Sequence, residues 1–194
     1  MSQTSNAGNL NDLSTVREYF SHNIRTSTAM VVATVMVFKC GLGDDIENMS
    51  DVISESAYFL DVYSKGMEIM FDFVLNVPIT DEKEEIEPAK LINHFMAKVP
   101  ITLSEQGINF AVELDNFKVN TKSHIFKNLI ELILCEEARK SRGNIKITGK
   151  NGLYTIDKDS AFEVPEIYTL FTRLFKKLGI EFTYTDKQIK MRFE

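Results

Sequence analysis

Two long segments with a helical spacing of apolar residues follow each other in the first half of the chain. In residues 12–39, apolar side chains recur every three or four positions, as on one face of an α-helix. Residues 46–76 alternate three-residue and four-residue steps in the heptad pattern of coiled coils, interrupted by Ser56. The periodic positions are Leu13, Val16, Phe20, Ile24, Ser27, Val31, Val35 and Phe38 in the first segment, and Ile46, Met49, Ile53, Leu60, Tyr63, Met67, Met70 and Val74 in the second.

The stretch between these segments, residues 41–45, combines glycines that stop a helix with aspartates that can cap the next one. Two long helices joined by so short a loop form an antiparallel hairpin. The first helix also carries a second apolar flank with Met30, Val32 and Met36. We therefore predict that two copies of the chain associate into a four-helix bundle, a homodimer. The alternative is that the hairpin packs on its own C-terminal domain.

The composition of the chain excludes several classes of protein. The 194 residues carry a formal net charge of −6 and no basic tract, which argues against a nucleic-acid partner. The first dozen residues lack the apolar core of a signal peptide, and the apolar run 29–38 is too short to span a bilayer. Cys40 and Cys135 have no metal-ligand spacing and are typical of reduced thiols. We expect a cytoplasmic protein without a membrane partner.

The chain divides into four parts by composition and pattern. Residues 1–11 are predicted to be a flexible start, residues 12–78 the helical hairpin, residues 79–88 an acidic linker, and residues 89–194 an α+β domain. The elements predicted in the last domain are, in order, helix 89–98, strand 108–114, helix 123–140, a strand hairpin over 144–157, helix 164–178 and a strand hairpin over 180–193.

A histidine lies on the polar side of the first predicted helix, within the run Ser21-His22-Asn23-Ile24-Arg25-Thr26. The apolar periodicity directs His22 into solvent. An imidazole is partly neutral at physiological pH, and a neutral ring exposed on a rigid helix can attack phosphorus or carbonyl centres. The alternative is an incidental surface histidine.

This run resembles the H-box of sensor histidine kinases, in which the phosphate-accepting His is followed by an acidic or amide residue, an aliphatic residue, Arg or Lys, Thr and usually Pro. Here Ser27 stands in place of the Pro, so a helix without a kink is expected. The hairpin resembles the dimerisation and phosphotransfer domain of that family. The order of elements in residues 89–194 resembles the family's ATP-binding domain, which has a Bergerat-like fold.

The nucleotide motifs of the family are degenerate in this chain. The kinases carry two Asn four residues apart on one helix, and the second binds Mg²⁺; this chain has Asn128 but Leu132, which cannot ligate a hard cation. The nearest match to the family's Asp-x-Gly-x-Gly turn, whose Asp reads adenine, is residues 157–161, which lack both glycines. Residues 161–177, where a glycine-rich lid is expected, contain no glycine. We therefore predict that the chain binds neither ATP nor a metal.

Together these features resemble the dimeric histidine phosphotransferases of bacterial two-component phosphorelays. The resemblance implies that His22 passes a phosphoryl group between the Asp residues of response-regulator receiver domains, with Mg²⁺ on the partner receiver and no cofactor on this chain. One alternative is an ATP-dependent sensor histidine kinase core with a divergent nucleotide site. Another is a non-catalytic dimeric scaffold that binds a response regulator.

The residues that follow His22 take their expected roles from the resemblance. Asn23 occupies the position of the general base in many active kinases, and an amide cannot take that proton, which fits loss of autophosphorylation. Arg25 is expected to contact phosphate oxygens or an acidic receiver pocket, or else to be a solvated helix charge. Thr26 is expected to orient a water for dephosphorylation, or else to be a small residue at a helix–helix seam.

The hairpin geometry also predicts a docking surface for the receiver. Both helices rise equally per residue, and His22 lies about twenty residues before Gly43, at the centre of the loop. The segment about twenty residues after Gly43 therefore lies level with His22, and the receiver is expected to dock on His22 and residues 60–68. The partner-binding residues predicted in that segment are Tyr63, Ser64 and Lys65.

Overall fold

The computed structural model describes residues 3–41, 46–114, 116–161 and 163–193. The chain divides into two compact units. The first contains Met1–Val77 together with the short segment Lys98–Ile101, and the second contains Pro78–Ala97 and Thr102–Glu194.

The first unit is a hairpin of two long helices, α1 (Gln3–Lys39) and α2 (Ile46–Val74), which confirms the predicted helical hairpin. Apolar side chains of both helices bury one another along the seam, including Val16, Phe20 and Met70, each with no exposed surface. The sequence predicts a flexible start over residues 1–11, but α1 is already helical from Gln3. No proline interrupts this stretch, and a single glycine inside a helix costs only about 1 kcal/mol.

The segment Lys98–Ile101 packs on the hairpin through a buried carboxylate. The side chain of Glu55, in α2, is 6% exposed, and its Oε2 accepts a hydrogen bond from the backbone N–H of Ile101 at 3.0 Å. Val99 in the same segment is fully buried. A carboxylate in α2 therefore satisfies a backbone donor of a segment that is distant in sequence.

The second unit is an α+β domain with a mixed sheet, as the sequence predicts. Five strands are ordered β2-β4-β5-β7-β6, with β2 and β4 parallel and the other neighbours antiparallel, and β1 and β3 form a separate antiparallel pair. The elements after the hairpin are β1 (Lys83–Ile86), α3 (Pro88–Lys98), α4 (Pro100–Gln106), β2 (Ile108–Glu113), β3 (Val119–Lys122), α5 (Ser123–Lys140), β4 (Gly143–Lys150), β5 (Leu153–Lys158), α6 (Ile167–Lys177), β6 (Ile180–Tyr184) and β7 (Gln188–Phe193).

The acidic stretch predicted as a linker, residues 79–88, contains strand β1. This strand pairs with β3 from Lys83 opposite Lys122 to Ile86 opposite Val119. Before it, Asp81 caps α5, because its Oδ2 accepts hydrogen bonds from the backbone N–H groups of His124 at 2.8 Å and Ile125 at 3.2 Å. The acidic stretch is therefore part of the second unit, and its strand depends on pairing with a distant segment that periodicity does not reveal.

Aromatic residues form the centre of the second unit. Phe126 in α5 contacts Phe193 in β7 with ring centroids 5.6 Å apart, and Phe175 in α6 stacks on Phe182 in β6 at 4.8 Å. These rings hold α5 and α6 against one face of the five-stranded sheet, while Lys146 on the other face is exposed. No helix in the described part of the chain is both long enough and apolar enough to cross a bilayer.

Candidate functional site

His22 is exposed on the side of α1 that faces away from α2. The buried residues of this stretch are Val16, Phe20, Asn23 and Ser27, which repeat with the three-four spacing of one helix face. His22 lies two residues after Phe20, and a step of two residues turns a helix by about 200°. The imidazole therefore points into solvent, as the periodicity predicts.

A shallow hollow surrounds the imidazole on this outward face of α1. It is lined by Arg17, Glu18, Ser21, His22 and Arg25. Glu18 accepts a hydrogen bond from the Ser14 hydroxyl at 3.0 Å. Within the described residues, neither arginine forms an ion pair. The hollow therefore presents two cationic side chains, one carboxylate and one imidazole to solvent.

Sequence reasoning missed Arg17 as a member of this site, because it was centred on the residues that follow His22. The signal was nevertheless present in the spacing. Arg17, Ser21 and Arg25 succeed one another in steps of four, which places them on one side of a helix. The structure joins that side to His22 in a single hollow.

Asn23 does not line the hollow. Its side chain is 7% exposed, and its Nδ2 donates a hydrogen bond to the backbone carbonyl of Tyr19 at 3.0 Å. Position 23 belongs to the buried stripe with Phe20 and Ser27. In this conformation the amide is bound to the backbone of its own helix.

The hydroxyl of Thr26 is bound to the helix backbone. Thr26 Oγ1 donates a hydrogen bond to the carbonyl oxygen of His22 at 3.0 Å. The oxygen keeps acceptor capacity, but the proton that would orient a water is already engaged. Arg25, one turn after His22, is exposed and lines the hollow.

The residues predicted to bind a partner on α2 have different surroundings. Tyr63 is fully buried, with its ring 6.2 Å from Tyr19 and 6.4 Å from Phe59, so the prediction of a partner contact through this side chain is wrong. Tyr63 is one of the periodic apolar positions of α2, and its side chain is buried between the two helices of the hairpin. Ser64 and Lys65 are exposed. Lys65 Nζ pairs with Asp61 at 2.5 Å, on the solvent side of α2.

The level of His22 along the hairpin also differs from the prediction. The contact between Tyr19 and Tyr63 places residue 63 opposite residue 19, about one helical turn from His22. Because the helices are antiparallel, His22 lies level with residues about one turn before Tyr63, near Leu60 and Asp61. Leu60 and Asp61 lie within the predicted docking segment, residues 60–68, but about one turn before the residues predicted at the level of His22.

Neither a family model nor a curated protein matches the sequence. Solved structures share its fold. The Acinetobacter baumannii histidine kinase AdeS superimposes with a TM-score of 0.60 over 89% of this chain and 97% of that chain, at 9% sequence identity. The cytoplasmic segment of histidine kinase QseC gives a TM-score of 0.54 over 69% of this chain and 94% of that chain, at 14% identity.

This is the fold of a histidine kinase core. It comprises a helical hairpin followed by an ATPase-like α+β domain. At such low identity the likeness extends to the fold, and any activity has to be argued from the side chains of this chain.

In this kinase-like fold, helix α5 is the expected nucleotide-binding helix, and both of its residues at the motif positions have structural roles. Asn128, in α5, is 5% exposed, and its Nδ2 donates a hydrogen bond to the backbone carbonyl of His124 at 2.8 Å. Leu132, one turn later, has no exposed surface and lies in the core. No group of three or more His, Cys, Asp or Glu in the described ranges has the geometry of a metal site.

The alternation of β5 places Lys158, rather than Asp157, on the side of the sheet that faces α5. Lys158 Nζ lies 3.2 Å from Glu137 Oε2 in α5, and the two side chains are 1% and 0% exposed. Asp157 lies on the opposite face, where it accepts a hydrogen bond from the side-chain amide of Gln188 on β7. Asp157, the nearest match to the adenine-reading Asp, therefore lies on the face of the sheet away from α5, because successive residues of a strand point to opposite faces.

Burial acts on both members of this ion pair. Removal from water raises the pKa of Glu137, and the attraction of Lys158 and a hydrogen bond from Ser141 only partly oppose this effect. Removal from water likewise lowers the pKa of Lys158, against the attraction of Glu137. In both side chains, the loss of hydration therefore destabilises the charged form more than the attraction of the partner stabilises it.

The turn after β5 is held by side chains instead of glycines. Asp159 Oδ2 accepts hydrogen bonds from the backbone N–H of Asn144 at 3.1 Å and from its side-chain amide at 2.8 Å. The Ser160 hydroxyl accepts one from the backbone N–H of Arg142 at 2.8 Å. These bonds tie the turn to the start of β4.

Proposed function

We propose that this chain is a histidine phosphotransferase of a two-component phosphorelay, and that it works as a homodimer without ATP. Its partners are response-regulator receiver domains, and its phosphate acceptor is His22. The observation that carries the proposal is the exposed imidazole between Arg17 and Arg25 on a rigid helix of a kinase-like hairpin.

The transfer consists of two displacements at phosphorus. In the first, a nitrogen lone pair of the neutral His22 ring attacks the aspartyl phosphate of one receiver. The N–P bond forms as the P–O bond to the aspartate breaks, the aspartate leaves as a carboxylate, and the ring proton passes to solvent. In the second, the Asp carboxylate of another receiver attacks the phosphohistidine, and the ring nitrogen leaves as a neutral imidazole once the ring is protonated.

The contribution of this chain to both steps is positioning and charge neutralisation, on which phosphoryl transfer chiefly depends. The long helix α1 fixes the ring in an exposed position that allows in-line approach. The guanidinium groups of Arg17 and Arg25 offset negative charge on the transferred group. A Mg²⁺ ion for the reaction is expected on the receiver domain.

Three features of the second unit support independence from ATP. The position for the magnesium-binding Asn holds Leu132, which is buried in the core. The amide of Asn128 is engaged by the backbone of its own helix. The side chain at the end of β5 that faces α5 is Lys158, whose ammonium is paired with Glu137, and both glycines of the adenine-binding motif are missing from residues 157–161.

Labelled donors test this proposal against the kinase alternative, which the fold itself favours. Purified chain is incubated with γ-labelled ATP and Mg²⁺, or with a panel of ³²P-phosphorylated receivers. We expect label to appear on the chain from at least one receiver and none from ATP, and we expect calorimetry with ATP to show no binding heat. Label on His22 from ATP in the absence of any receiver would identify a kinase instead.

Exposed apolar residues on α1 support a second copy of this chain as the binding partner of the hairpin. Met30, Met36 and Phe38 are 51%, 62% and 56% exposed, and Val35, Phe38, Met49 and Ile53 line an apolar hollow at the loop end of the hairpin. In a two-fold arrangement each copy offers the same stripe, so each covers the other. Burying these side chains in a four-helix bundle offers about 1.5–3 kcal/mol for each one that is fully covered.

Light scattering tests the dimer. We expect the wild-type chain to give about twice its mass of 22.2 kDa. The double substitution Met30→Asp and Val37→Asp, on one side of α1 at a seven-residue spacing, is expected to shift the mass toward one copy. Ala57→Asp adds a charge to an exposed position of α2 and serves as the control that remains dimeric. A wild-type mass of one copy at high protein concentration would exclude the homodimer.

A further inference from the structure

Arg17 and Arg25 lie on either side of His22 along the outward face of α1. At 1.5 Å of rise per residue, Arg17 is about 7.5 Å before His22 along the helix axis and Arg25 about 4.5 Å after it. Both side chains line the hollow that contains the imidazole. Arginine side chains are long enough to converge from these positions on a group attached to the ring.

The charges in the hollow are suited to an anion. In the described chain, Arg17 and Arg25 form no ion pair with a carboxylate, and Glu18 is held by the hydroxyl of Ser14. A phosphoryl group carries about −1.5 to −2 charges at neutral pH and three acceptor oxygens. The planar guanidinium fork donates two parallel hydrogen bonds to such oxygens.

We propose that Arg17 binds the phosphoryl group on His22, together with Arg25, and thereby stabilises the phosphohistidine and the transition states that lead to it and away from it. This inference rests on the proposed function and adds to it a residue that lies outside the H-box. Glu18 opposes this binding, because its carboxylate lies in the same hollow as the bound anion.

The experiment measures phosphoryl uptake from a phosphorylated receiver by wild-type chain, Arg17→Ala, Arg17→Lys and Lys39→Ala. Lys39 is an exposed cation at the end of α1, so its removal changes the same charge on the same helix away from the hollow. Loss of one charge-assisted hydrogen bond predicts a rate about 10- to 100-fold lower for Arg17→Ala. The lysine variant keeps the charge without the fork, so we expect it to recover part of the rate, and Lys39→Ala to match wild type.

A second measurement separates phosphate binding from receiver binding. The ³¹P resonance of the isolated phosphorylated chain is titrated with pH in the absence of any receiver. A guanidinium beside the phosphoryl group favours its dianion, so the pKa of the phosphoryl group is expected to be lower in wild type than in Arg17→Ala. The variant Glu18→Gln is expected to lower it further and to raise the rate of uptake.

The outcomes distinguish failure of this inference from failure of the proposed function. A wild-type chain that accepts no phosphate from any receiver overturns both. If wild type is phosphorylated and Arg17→Ala matches it in rate and in ³¹P titration, the proposed function stands and the role of Arg17 is refuted. A slow Arg17→Ala with an unchanged ³¹P titration means that Arg17 contacts the receiver, which also overturns the inference.

Discussion

Replacing His22 with Gln is expected to abolish phosphoryl transfer through this chain. The amide of Gln has the polarity and approximate reach of the ring but no nitrogen that can attack phosphorus, so the accepted phosphate should fall by at least about 10³-fold. His22 is exposed on α1. Its replacement should therefore change the free energy of unfolding by no more than about 0.5 kcal/mol.

The measurement follows ³²P from one phosphorylated receiver onto the chain and then onto a second, unphosphorylated receiver. His94→Gln, at an exposed position of α3, is the matched control and should relay phosphate at the wild-type rate. Retention of acid-labile phosphate by His22→Gln would show that another residue is the acceptor. Equal binding of receivers by wild type and variant, with phosphate on neither, would leave the non-catalytic scaffold as the function.

The hairpin and much of the α+β domain could be predicted because their signals are local. Long runs of apolar residues at one spacing leave few alternatives to a pair of packed helices, and α5 has such a run within a single element. Strand β1 gave no such signal, since three of its four residues are exposed and charged. It exists because β3 pairs with it, and that partner is more than thirty residues away in sequence.

The candidate site was predictable to a similar degree. The outward position of His22 follows from the apolar stripe of its own helix. The surroundings of Tyr63 depend on how two helices align, which is set by a contact with Tyr19 and not by counting from the loop. The burial of Asn23 could not be predicted from its residue type, because a polar side chain gives no burial signal, yet its amide donates a hydrogen bond to the carbonyl of Tyr19.

Substitution of one member of the buried pair Glu137–Lys158 is expected to have the largest effect on stability. Their nitrogen and oxygen are 3.2 Å apart between α5 and β5, with almost no exposed surface on either side chain. Removal of one partner leaves the other charge buried without compensation. Such changes cost about 3–5 kcal/mol, whereas replacement of both partners by apolar residues of similar volume is often neutral or stabilising.

We therefore expect Glu137→Met and Lys158→Met each to lower the free energy of unfolding by about 3–5 kcal/mol. The double variant should lie within about 1 kcal/mol of wild type, because the Ser141 hydroxyl then loses its carboxylate acceptor but no unpaired charge remains. Urea denaturation followed by circular dichroism measures all four proteins. Additive losses in the double variant would contradict coupling between the two residues.

The dependence of stability on pH separates a charge effect from a packing effect. In Glu137→Met the remaining Lys158 has a lowered pKa, so the unfolded state binds more protons and stability should rise as pH rises toward the ordinary lysine value of about 10.4. In Lys158→Met the remaining Glu137 has a raised pKa, so the folded state retains a proton that the unfolded state loses. Its stability should be greatest below the ordinary value of about 4.3 and fall as pH rises through the raised pKa.

The two single variants should therefore have pH slopes of opposite sign, although each removes one side chain from the same buried contact between α5 and β5. A cavity or a lost van der Waals contact costs the same at every pH and gives parallel curves. If the two single variants have opposite slopes and the double variant shows no dependence on pH, the loss of stability in each single variant comes from an unpaired buried charge. In the wild-type chain each of the two buried charges is then compensated by the other, and removing either partner destabilises the fold.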